Sequence, residues 1–66
     1  MSAHDALFRA HACFVEEEYA EAIELYSKAI SLEPSNEVYF SNRCAAYAAL
    51  QRWREALDDS HEVVTL

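Results

Sequence analysis

The chain has no glycine and a single proline among its 66 residues. Any left-handed backbone position must therefore be held by a residue with a Cβ, at a cost of about 1 kcal/mol or more. Basic residues are scarce: five lysines and arginines face twelve aspartates and glutamates, for a net charge of −7. That balance argues against nucleic acid and against an anionic membrane surface, since both are met by a basic patch. No stretch approaches the roughly 20 apolar residues of a membrane span. Met1-Ser2-Ala3-His4-Asp5 lacks both the basic residues and the apolar run of a secretion signal. The two cysteines, Cys13 and Cys44, sit in apolar helical sequence without metal-type spacing. Reduced thiols in a cytoplasmic or nuclear protein are the expectation, with a Cys13–Cys44 disulfide as the alternative.

What the chain does have is an internal repeat. Tyr19 recurs as Trp53, Ala22 as Ala56, Ile23 as Leu57, Ala12 as Ala46 and Ile30 as Val64, each pair 34 residues apart with no gap. A fixed period of this length, filled with helical sequence, marks helical hairpins stacked side by side. The hydrophobic fraction of 53% supplies a packed core for one small domain.

The apolar spacing predicts an all-α chain of four antiparallel helices. Ser2 and Asp5 have capping-box spacing ahead of Ala6, Ala10, Cys13 and Phe14, so the first helix spans about Ala3 to Val15. Glu16 to Glu18 form a turn. Tyr19, Ala22, Ile23, Tyr26, Ala29 and Ile30 then step by three and four along one stripe of a second helix. Pro34 ends it, having no N–H to donate. Ser35 or Asn36 caps the third helix, with Tyr39, Phe40, Cys44, Tyr47 and Leu50. Gln51-Arg52 is the last turn before a fourth helix bearing Trp53, Ala56, Leu57, Val63, Val64 and Leu66. Small residues (Ala10, Ala22, Ala29, Cys44, Ala56) let helices approach closely. Aromatics (Phe14, Tyr19, Tyr26, Phe40, Tyr47, Trp53) fill the gaps between them.

These residues resemble the tetratricopeptide repeat (TPR). Ala10, Tyr19, Ala22, Tyr26, Ala29 and Pro34 match its first repeat, and Phe40, Cys44, Tyr47, Trp53 and Ala56 its second. The resemblance implies two helix-turn-helix repeats, about 3–34 and 36–66, that begin a right-handed α-superhelix. Within the family, Tyr26 to Ile30, Pro34 and Tyr39 to Arg43 look like the co-chaperone branch. Members of that branch often hold acidic tails of the 70- and 90-kDa heat-shock chaperones in a carboxylate clamp. Of that clamp this sequence keeps Asn42, while Leu7 and His11 stand at the first-helix positions. Phe14 to Tyr19 is similar to the adaptors with TPR, CS and SGS segments, which link the 90-kDa chaperone to ubiquitin ligases. The resemblance also places Glu17 and Gln51 where the family commonly has a turn glycine.

Lining by the first helix of each repeat, as the resemblance implies, gives a groove of Leu7, Phe8, His11, Phe14, Asn42, Ala45 and Ala49. The Asn42 amide both donates and accepts, and Leu7 and Phe8 favour an apolar ligand side chain over a carboxylate. Catalysis finds no constellation. His4 and His11, seven residues and about 10 Å apart on one face, cannot share an ion, so neither an enzyme nor a cofactor is expected. Asp58-Asp59 reads as solvated surface. With two repeats where such arrays generally have three or more, Leu57, Val63 and Val64 are left uncovered. That face predicts self-association, with helix exchange if a glycine-free turn straightens, or else a single domain taken from a longer protein.

Overall fold

Ser2 begins the first helix with its side chain, whose Oγ accepts the Asp5 N–H at 3.1 Å. The computed structural model describes all 66 residues and contains α1 (Ala3–Val15), α2 (Tyr19–Leu32), α3 (Glu37–Ala49) and α4 (Trp53–Thr65). The four expected helices are present, with α1 and the starts of α2 and α4 where the spacing put them. Of the two candidate caps for α3, Asn36 is the one used: its Oδ1 accepts the Val38 N–H at 3.0 Å. No helix is long and apolar enough to cross a membrane.

Both intra-repeat turns are built alike. Glu17 and Gln51 are the only positive-φ residues, at 62° and 60°. Around them the Glu18 N–H donates to the Cys13 carbonyl and the Glu17 N–H to Phe14, at 2.8 and 3.0 Å. The Arg52 and Gln51 N–H groups donate to Tyr47 and Ala48 in the same way, both at 2.9 Å. This paired pattern closes a helix through a left-handed residue, a place that glycine ordinarily takes without strain. Here each hairpin turn is held by a residue with a Cβ.

The core lies along α2. Ala10, Ala22, Ile23, Tyr26 and Ala46 form one buried cluster, and Ala3, Ala6, Ala29 and Tyr39 a second. Each draws on α1, α2 and α3, and the fully buried alanines allow the close approach that lets Tyr26 fill the space between. Both cysteines are free.

Two expectations need correction. Trp53 fills no gap: it is exposed, because nothing packs on that side of α4. Asp59 is not solvated surface, although Asp58 is; Asp59 is 3% exposed. Its carboxylate accepts two hydrogen bonds from the Arg43 guanidinium, which also donates to Ser27 Oγ at 2.9 Å. A buried carboxylate is tolerated because this partner neutralises it and occupies both oxygens.

Candidate functional site

Helical spacing and exposure together define one outward face on α1 and α3. On α1 the exposed residues His4, Phe8, His11 and Val15 step by four, three and four, so they share a side. Shifted by 34 residues, the same positions on α3 are Val38, Asn42, Ala45 and Ala49, with Asn42 half-buried and the others exposed. Phe8 is 72% exposed, a large apolar side chain with no intramolecular partner to cover it. No pocket opens between the helices, so a partner would meet an open surface.

Five of the seven residues expected to line a groove lie on this face: Phe8, His11, Asn42, Ala45 and Ala49. Leu7 and Phe14 turn toward the core instead. Leu7 packs against both buried clusters, and Phe14 meets Tyr19 edge-on with ring centroids 5.2 Å apart. The sequence alone did not single out His4, Val15 or Val38 for this face. Val15 is the repeat mate of Ala49, so for it the 34-residue shift carried the signal, whereas His4 and Val38 are mates of each other.

His11 is not simply solvated. Its Nδ1 lies 3.0 Å from the Tyr26 hydroxyl, and the two rings meet edge-on at 5.7 Å. Burial, and secondarily Cys13, pushes the Tyr26 phenol above its ordinary value of 10.0, so the hydroxyl keeps its proton at neutral pH.

One further cluster joins residues from either side of the first turn. Ligand atoms of Cys13, Glu18 and Glu21 lie within 4.8 Å of one another. Burial, followed by the charges of Glu21 and Glu18, raises the Cys13 thiol above its ordinary 9.0. The group offers a protonated thiol and two exposed carboxylates, a common surface arrangement. On α4, Leu57 and Val64 are exposed and Val63 half-buried.

Comparison with known proteins agrees with this architecture. The family model described as "TPR repeat" matches residues 10–51. Hsp70-Hsp90 organizing protein 3 of Arabidopsis thaliana is 43% identical over 58 residues, 88% of this chain and 10% of that protein. Heat shock protein STI1 of Saccharomyces cerevisiae is 42% identical over 57 residues, 85% of this chain and 10% of its own length. The crystal structure of the Sgt2 TPR domain from Aspergillus fumigatus superposes with a TM-score of 0.92 at 33% identity. That superposition covers 96% of this chain and 42% of the Sgt2 chain. The chain thus spans about a tenth of the length of the two curated relatives. Four antiparallel helices in two repeats, a matching family model and relatives among co-chaperones lead to one conclusion: the chain belongs to the tetratricopeptide repeat family.

Proposed function

We propose that this chain is the protein-interaction module of a co-chaperone-type adaptor, taking a partner peptide on the α1/α3 face. One observation carries the reading. In a chain with 26% charged residues, the eight positions His4, Phe8, His11, Val15, Val38, Asn42, Ala45 and Ala49 include no Asp, Glu, Lys or Arg. An uncharged, partly apolar face on a charged surface marks a contact site. Relatives named for organising Hsp70 and Hsp90 support a heat-shock chaperone as the partner. Neither the geometry nor the charge supplies a catalytic constellation, and none is proposed.

The face favours an apolar anchor over a bare carboxylate. Of the five basic residues, Lys28 is on α2 and Arg54 on α4, Arg43 and Arg52 are engaged by Asp59 and Glu55, and Arg9, exposed on α1, falls outside the stepped positions of the face. Amide NMR titration with two peptides tests this, one with a leucine-bearing uncharged sequence and one ending in an acidic chaperone tail. Saturable shifts at Phe8, His11, Val15 and Asn42 are expected, stronger with the leucine peptide. Shifts confined to other surfaces, or none with either peptide, would sink the reading.

A second reading is favoured by one comparison inside the molecule. Ile23 on α2 is 8% exposed beneath α3, whereas Leu57, its repeat mate on α4, is 60% exposed. The same face carries Trp53 and Val64, and half-buried Val63 lies at its margin. A second copy seated there would make the chain a self-association element. Light scattering at high micromolar concentration then gives twice the monomer mass, returning to one with Leu57→Asp. A monomeric mass throughout removes this reading.

A further inference from the structure

Tyr26 is the largest fully buried side chain, 1% exposed, yet its hydroxyl has a single partner, the Nδ1 of surface residue His11. The contact admits two proton placements. If Nδ1 carries a proton and donates to the hydroxyl, the phenol's own proton is left inside the protein with no acceptor. A buried donor left without an acceptor loses its hydration with nothing in return. If the hydroxyl donates to a bare Nδ1, both the phenol proton and the Nδ1 lone pair are used. The second placement is the one the burial selects.

The consequence lies on the other side of the ring. A neutral imidazole with a bare Nδ1 carries its proton on Nε2. With Nδ1 turned toward Tyr26, Nε2 lies on the solvent side of an exposed residue, on the same helix face as Phe8 and Val15. Resting on the α1/α3 reading above, we propose that Tyr26 is a positioning residue. It holds His11 so that the Nε2–H projects from the face as an uncharged donor, selecting a main-chain carbonyl of the bound peptide. Phe8 supplies the neighbouring apolar contact, and the half-buried Asn42 amide a second polar one from α3. Such a donor recognises an acceptor without needing a negative charge, which suits a face with no cation of its own.

Nitrogen-detected NMR of the histidine rings in the whole chain at pH 7.5 tests the positioning before any ligand is added. The expected spectrum shows His11 with a bare, hydrogen-bonded Nδ1 and a protonated Nε2. It also shows a slowly exchanging Tyr26 hydroxyl proton coupled to that Nδ1. Tyr26→Phe should remove the hydroxyl signal and shift the Nδ1 resonance. It should also weaken the leucine peptide about fivefold, the equivalent of one hydrogen bond of about 1 kcal/mol. A proton on Nδ1 in the unmodified chain, or an Nδ1 resonance indifferent to Tyr26→Phe, overturns the inference. The unmodified spectrum decides by itself if the variant fails to fold. The expected spectrum without binding of the leucine peptide keeps the positioning and removes the face as its purpose, so the two failures are told apart.

Discussion

Arg43 on α3 grips Asp59 on α4 through two parallel hydrogen bonds, Nε to Oδ2 at 2.8 Å and Nη2 to Oδ1 at 2.7 Å. The guanidinium also lies over the rings of Phe40 and Tyr47, at 5.6 and 5.7 Å from their centroids. The hydrogen bonds to Asp59, against a smaller burial penalty, hold Arg43 more firmly in its charged form than usual. Asp59→Asn keeps the shape and removes the counter-charge. Loss of one partner of a buried pair costs about 3–5 kcal/mol. Arg43 retains some solvent access, so about 3 kcal/mol is expected, read as a lower urea midpoint. Replacing both residues, Arg43→Met with Asp59→Leu, should recover most of the loss. A cost below about 1 kcal/mol for Asp59→Asn would show the pair to be stabilising nothing.

Glu17 and Gln51 sit at φ 62° and 60° with side chains that gain nothing from the left-handed geometry. Glycine there keeps the turn hydrogen bonds and removes the Cβ strain of about 1 kcal/mol. Glu17→Gly and Gln51→Gly should each raise Tm by about 5 °C, the scale set by a domain of this size. A fall in Tm for either change contradicts the assignment of strain.

Three groups release protons less readily in the folded chain. Burial raises the Cys13 thiol, helped by Glu21 and Glu18, and raises Tyr26, helped by Cys13. Tyr39 is raised by burial and then by its hydrogen bond to Glu33 at 3.0 Å. Each folded value lies above the ordinary 9.0 or 10.0, so the unfolded chain loses its protons first as pH rises. Stability from these groups is complete below about pH 9 and drains away above it. Melting curves from pH 7 to 10.5 should show Tm falling over the upper part of that range, less steeply in Tyr39→Phe. A flat profile rules this out.

Only Asn36 of the Ser35-Asn36 pair caps α3. Asn36→Ala should cost about 1 kcal/mol and Ser35→Ala close to nothing, measured by urea denaturation. Equal effects would mean the cap contributes little.

The four helices were legible because apolar residues recur at steps of three and four and Pro34 breaks the series between the repeats. Glu17 and Gln51 were legible as awkward turn residues because the chain offers no glycine. Asp59 was not, since an Asp-Asp pair in isolation reads as solvent-facing. The repeat held the missing hint: Asp59 falls 34 residues after Leu25, a half-buried position packed on the core. The contact between His11 and Tyr26 left no trace in one dimension. It joins residues fifteen apart across a hairpin, and only the folded turn brings them together.

Arg43 also ties its own repeat to the one before, because Ser27 lies on α2. Ser27 and Asp59 each lie sixteen residues from Arg43, one on either side in sequence. One side chain thus spans both the α2/α3 contact between the repeats and the α3/α4 contact within the second, so loosening either junction strips a partner from the other.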